Sequence, residues 1–151
     1  MKYIYYYDTL IGEIGIVGDH EYIYEITFSR KDYPIQENAL IKQCFQQIDE
    51  YLKGKRKVFD IPLYIEGTEF QKKVWHELLN IPYGKTRSYQ DIAIAINNIK
   101  ALRAVGHANN KNKLPIIIPC HRVIGKNGKL VGYAGGLEIK EKLLELEKKY
   151  G

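Results

Sequence analysis

At 151 residues, 45% hydrophobic, 27% charged and with a net charge of +5, the chain has apolar content for one domain or two closely packed subdomains with a real core. Its start, "MKYIYYYDTL", lacks a signal-peptide pattern, no run approaches a membrane span, and the two cysteines, Cys44 and Cys120, lie too far apart in sequence to suggest a disulfide framework; a reduced, cytoplasmic protein is expected. The charge is unevenly placed: residues 1–66 hold 8 Lys and Arg against 11 Asp and Glu, a net of −3, whereas residues 67–151 hold 15 against 7, a net of +8.

The first segment alternates at period two. "KYIYYY", "EIGIVG" and "EYIYEITF" read as three short strands with turns at Thr9–Gly12 and Gly18–Glu21. Residues 38–53, "NALIKQCFQQIDEYLK", place apolar side chains at helical spacing and stop at Gly54. Cys44 falls on this helix beside Phe45 and Ile48 and reads as packed core without a chemical role. "RKVFDIPLYIEG" reads as an extended linker, which divides the chain into an N-terminal α/β domain, 1–66, and a C-terminal domain, 67–151.

In the second domain Thr68 and Gln71 form a capping-box pattern before "FQKKVWHELLNI", a helix expected to bury Phe70, Val74 and Leu78. Ser88 and Asp91 repeat that spacing before "YQDIAIAI", and "ALRAVGHANN" follows as a second short helix. From Lys85 to Lys129, 9 cations face the single acid Asp91. That excess is either a solvated face or the footprint of a phosphate-backbone binder, and two short helices within it resemble a helix-turn-helix. At about 100° per residue, Ala101, Leu102, Val105 and Ala108 share one side of the second helix, and Arg103, Gly106, His107 and Asn110 the other.

"IIIPCHRVIG", residues 116–125, brings Cys120 into apolar surroundings beside a base and a cation. Pro115 and Pro119 suggest a stiff extended segment. Cys120 and His121 would then point to opposite sides, so a bridging water or a local turn is needed to connect them. The imidazole also needs a third group to set its tautomer. In the last helix, "LEIKEKLLELEKKY", the apolar face predicted from Ile139, Leu143, Leu146 and Tyr150 leaves Glu147 at its margin, with Lys140 on the same stripe. Glu147 is either paired with something inside or lies along the solvated edge.

"IPCHRVIG", "GYAGG", "RSYQDIA" and "ALRAVGHA", in this set and spacing, resemble the O6-alkylguanine-DNA alkyltransferase family over about residues 66–150, and the N-terminal sheet resembles it in outline. The resemblance implies an α+β fold: a small antiparallel sheet with a helix, then a mainly helical domain with a winged-helix-like helix-turn-helix. It implies a suicide DNA-repair protein, active as a monomer without a cofactor on duplex DNA containing O6-alkylguanine, with O4-alkylthymine as a second candidate substrate. By motif, Cys120 would accept the alkyl group, His121 would act as its base through a water, and Glu147 would orient that histidine. Tyr89 would donate to guanine N3, and Asn112 would hold the turn before the active-site segment. Arg103 would enter the base stack in place of a flipped nucleotide, with Ser88, Ala104 and Gly106 also at the DNA. Tyr133, Ala134, Gly135 and Pro115 would line the base pocket.

Two departures stand out. Residues 1–43 hold one histidine and no cysteine, so the structural zinc of some relatives is not expected. Ala134 replaces a serine or arginine common in the family, which bears on alkyl size. The rival reading is a non-catalytic sensor of alkylated DNA, against which the presence of Cys120 argues.

Overall fold

A computed structural model describes all 151 residues, which divide into two compact units, Met1–Ile65 and Glu66–Gly151. In the first unit, strands β1 (Tyr3–Thr9), β2 (Gly12–Gly18) and β3 (Ile23–Thr27) form an antiparallel meander in sequence order. Turn chemistry sets its register. Gly12, at φ +102°, closes the first hairpin with Thr9 Oγ1 donating to its carbonyl at 2.6 Å. Asp19 Oδ1 accepts from the amides of Glu21 and Tyr22, both at 2.8 Å, to shape the second. Gly15 is required by packing, because a Cβ there would stand 2.9 Å from the Tyr6 ring and 3.0 Å from the Thr27 methyl.

Helix α1 (Ala39–Leu52) begins where the Asn38 side chain accepts from Ile41 N at 2.8 Å. It packs on the sheet, burying Ile41, Cys44, Ile48 and Leu52 in a core with Ile4, Ile14, Ile16 and Val17. Both sheet edges are occupied, which blunts strand-to-strand association: Ile4 bridges Ile35, and Ile23 bridges Leu63. The stretch expected to be a linker is therefore extended but docked. Its Asp60 amide donates to Gln47 Oε1 at 2.8 Å, and Tyr64 N donates to Ile23 O at 2.9 Å.

The second unit starts with α2 (Glu69–Leu79), whose Thr68/Gln71 capping box is formed in both directions. α2 buries Val74, Trp75 and Leu78; Phe70, expected inside, is only half-buried at the first turn. Strand β4 (Arg87–Ser88) leads into α3 (Tyr89–Ala95), again through a complete capping box, Ser88 with Asp91. α4 (Leu102–Asn110) packs against α2 and α3, and Trp75 Nε1 donates to Ala108 O at 2.9 Å.

The inward face of α4 is Val105, Ala108 and Asn109, so the predicted face is rotated: Leu102 is 45% exposed and Asn109 replaces it inside. Asn109 is held there because its Nδ2 donates to Cys120 O at 3.4 Å, a contact that hydrophobic periodicity does not encode. β5 (Val123–Ile124) pairs in parallel with β4, and α5 (Leu137–Tyr150) closes the unit. The whole is an α+β fold.

Candidate active site

The site begins with a turn where the prolines suggested extended chain. Pro fixes φ but leaves ψ free, and Pro119 at ψ 64° folds the backbone so that Cys120 N donates to Ile118 O at 2.7 Å. Upstream, Ile118 N donates to Leu114 O at 2.9 Å, with Ile116 at φ +76° between them. A β-branched residue in the left-handed region costs about 1–3 kcal/mol. Asn112 holds that conformation: its Oδ1 accepts from Leu114 N at 3.0 Å and its Nδ2 donates to Ile118 O at 2.9 Å. Cys120–Arg122 then forms one 3-10 turn. Successive side chains on such a turn are about 120° apart rather than opposed, which removes the geometric obstacle between Cys120 and His121.

All three residues of that turn are buried, and α5 covers them. Its inward stripe is Lys140, Leu143 and Glu147, not the predicted Ile139, Leu143, Leu146 and Tyr150; Tyr150 is 39% exposed. The helix is rotated because the two charged residues find partners inside. Glu147, 1% exposed, accepts on Oε1 from Gly84 N at 3.0 Å and Arg122 Nε at 2.8 Å. On Oε2 it meets Arg122 Nη2 at 3.0 Å and His121 Nε2 at 2.6 Å. Lys140 Nζ donates to Val123 O at 2.7 Å, Val131 O at 2.8 Å and Gly132 O at 3.3 Å.

A carboxylate already gripped by a guanidinium is an acceptor, so the proton at this contact belongs to His121 Nε2 and Nδ1 is the basic nitrogen. Burial pushes the Cys120 thiol up to about 11, opposed by a hydrogen bond from Asn112 and the charge of Lys140. Burial also lowers His121, against the pull of Glu147. The resting pair is thus a neutral thiol and a neutral imidazole, the combination that lets a base take the proton as the sulfur reacts. Lys140 is pushed down to about 8 by burial. Tyr89 and Tyr133 are raised, first by burial and then by the charge of Cys120.

Outside this cluster lies a cavity of about 480 Å³ between α3, α4 and the 126–132 segment. Ser88, Tyr89, Arg103 and Gly106 line it, with Leu102, Asn110 and Gly132. Tyr89 Oη donates to Val131 O across it at 3.1 Å. Arg103 and Ala104 are exposed on α4. Of the residues expected at a base pocket, Pro115 is buried in the segment before Cys120, Tyr133 and Gly135 are half-buried, and Ala134 is exposed; the wall of this cavity on their side is Val131 and Gly132. Lys140 holds that side of the cavity through the carbonyls of Val131 and Gly132. Arg122 as a partner of Glu147 is not foreseeable from apolar periodicity, and its place directly after His121 is the one local signal for it.

This arrangement, a buried thiol with a histidine–carboxylate pair in a segment of net charge +8, defines the class of a cysteine nucleophile on a fold suited to a polyanion. Two family models divide the chain: "6-O-methylguanine DNA methyltransferase, ribonuclease-like domain" matches residues 1–65 and "6-O-methylguanine DNA methyltransferase, DNA binding domain" residues 69–149. The chain is 48% identical to a methylated-DNA–protein-cysteine methyltransferase of Methanosarcina acetivorans, over 93% of this chain and 95% of that one. It is 45% identical to the constitutive enzyme of that name from Bacillus subtilis, over 98% and 96%. The structure of Mycobacterium tuberculosis OGT in complex with DNA superposes with a TM-score of 0.91 at 41% identity, covering 98% of this chain and 94% of that one. The chain belongs to the methylated-DNA–protein-cysteine methyltransferase family, DNA-repair proteins that take an alkyl group from DNA onto a cysteine of their own.

Proposed function

We propose that Cys120 is the alkyl acceptor and that the substrate is O6-alkylguanine in duplex DNA. The observation that carries this reading is the buried Cys120 on the same 3-10 turn as His121, whose Nε2 is tied to Glu147 at 2.6 Å. His121 takes the thiol proton through a water as the sulfur attacks the alkyl carbon. The carbon–O6 bond breaks, its electron pair returns to the purine, and the departing guanine anion is met at N3 by the proton of Tyr89, which the proton held on His121 replaces. Tyr89, which donates to Val131 O, would redirect its proton to guanine N3 and so disperse the leaving group's charge. The thioether product is not hydrolysed under ordinary conditions, so each chain acts once and no cofactor is called for.

A stacked base is out of reach of a buried sulfur, and flipping it out costs a few kcal/mol. Arg103, exposed on the outward side of α4, would fill the gap, with Ser88, Ala104 and Gly106 against the minor groove. The net charge of +8 over residues 67–151 supports that segment as the DNA-binding and acceptor domain. No helix is long and apolar enough to cross a membrane. Both cysteines are free and buried, which supports a reducing, cytoplasmic setting, where we propose that the chain acts as a monomer.

The deciding experiment is intact-protein mass after incubation with a duplex containing one O6-methylguanine. One added methyl, mapped to Cys120 and saturating at one per chain, is the expected result. Tight binding without mass change would replace this reading with the non-catalytic damage sensor.

A further inference from the structure

The Glu147 carboxylate has a second partner that the acceptor, base and orienting roles leave unused. Arg122 grips both of its oxygens, Nε to Oε1 at 2.8 Å and Nη2 to Oε2 at 3.0 Å. The same guanidinium is itself anchored, Nη1 donating to Ile81 O at 2.8 Å, with the Tyr83 ring 5.6 Å from its central carbon. It is 7% exposed, and the Glu147 side chain it holds is 1% exposed.

A buried arginine–carboxylate pair is a poor source of net stability, because desolvating both ions offsets most of their attraction. Its planar two-point geometry, however, fixes a carboxylate in a way that a single hydrogen bond cannot. We propose that Arg122 is a positioning residue for alkyl transfer, locking Glu147 as an oriented anion so that the His121 proton stays on Nε2 and Nδ1 remains the base. The proposal rests on the assignment of Cys120 and His121 made above.

The groups around His121 give this a sign. From α5, Glu147 favours the imidazolium and Lys140 opposes it; from its own turn, Arg122 opposes it and Cys120 is the proton donor. α2 also packs on that turn, through a buried face of Val74, Trp75 and Leu78 that carries no charge. Arg122 therefore has two separable effects. Its fork orients Glu147, and its charge adds to burial in opposing the imidazolium of His121.

The test is the single-turnover rate of methyl transfer from an O6-methylguanine duplex across the pH range in which histidine titrates. It compares the wild-type chain with Arg122→Lys and Arg122→Gln, with duplex affinity and thermal unfolding measured alongside. Arg122→Lys keeps the charge and loses the fork, so transfer slows by about tenfold or more while the acid limb stays in place. Arg122→Gln loses both: transfer slows further and the acid limb moves to higher pH, because a cation opposing the imidazolium is gone. Both bind duplex DNA as the wild type does. Variants that match the wild-type rate and acid limb overturn the proposal, as does a rate loss in Arg122→Gln that follows unfolding with no movement of the limb. Should Arg122→Gln not fold, the rate of Arg122→Lys decides alone. A wild-type chain that takes up no methyl sinks the acceptor assignment itself, and this proposal with it; transfer by the wild type beside unchanged variants sinks only the role of Arg122.

Discussion

The imidazole of His121 meets Glu147 through Nε2, 2.6 Å from Oε2, and neither side chain is open to solvent. Replacing the carboxylate by an amide sets an NH2 donor among the donors of Arg122, His121 and Gly84. Glu147→Gln should slow methyl transfer about 100-fold without changing duplex affinity. It should also cost about 3–5 kcal/mol in urea unfolding, the usual penalty for breaking a buried ion pair from one side. An unchanged transfer rate would leave Glu147 with a structural part only.

His121→Ala separates the base from the sulfur. With the thiol near 11, almost no thiolate exists at neutral pH. The variant should be about 10²–10⁴-fold slower there. It should then recover about tenfold per pH unit in the alkaline range, as only preformed thiolate reacts. A flat pH–rate profile in His121→Ala would refute the general-base role.

Gly106→Ala probes the DNA face. A Cβ at this position meets nothing nearer than the Tyr89 ring at 3.9 Å, so the fold accommodates it. The helix gains about 1 kcal/mol from the exchange. Thermal stability should rise while duplex affinity falls, because the added methyl stands between α4 and the groove. Affinity that holds or improves would remove Gly106 from the interface.

Lys140→Met removes a donor from the carbonyls of Val123, Val131 and Gly132. A cost of about 1–3 kcal/mol is expected at neutral pH. The sign with pH follows from its pKa, lowered from 10.5 to about 8. Between those values the unfolded chain binds the proton more tightly than the folded one, so raising pH relieves a penalty in the wild type that the methionine variant never had. The stability gap in paired denaturant titrations should therefore widen from pH 8 to 10.5. A gap that narrows would mean that the ammonium is stabilised in place.

Much of the scaffold was legible because it is written over short distances. The capping boxes Thr68/Gln71 and Ser88/Asp91 act within one helical turn, and both are formed. The three strands follow from period-two alternation and from turn residues that close on themselves, as Asp19 does with Glu21 and Tyr22. Leu102 and the face of α5 were misplaced for one shared reason: periodicity assigns apolar residues inward and cannot see that Asn109, Lys140 and Glu147 have partners there.

From the sequence alone came the α+β class, the order of elements, the basic second half and the motif that singles out Cys120. Only the tertiary structure decided what surrounds that sulfur. Glu147 stands 26 residues from His121 and 63 from Gly84 along the chain, yet all meet at one carboxylate. A charged residue is stable in the interior only when its partners arrive with it. Which residues those are is set by the packing of α5 on the 3-10 turn, a long-range choice that no local spacing contains.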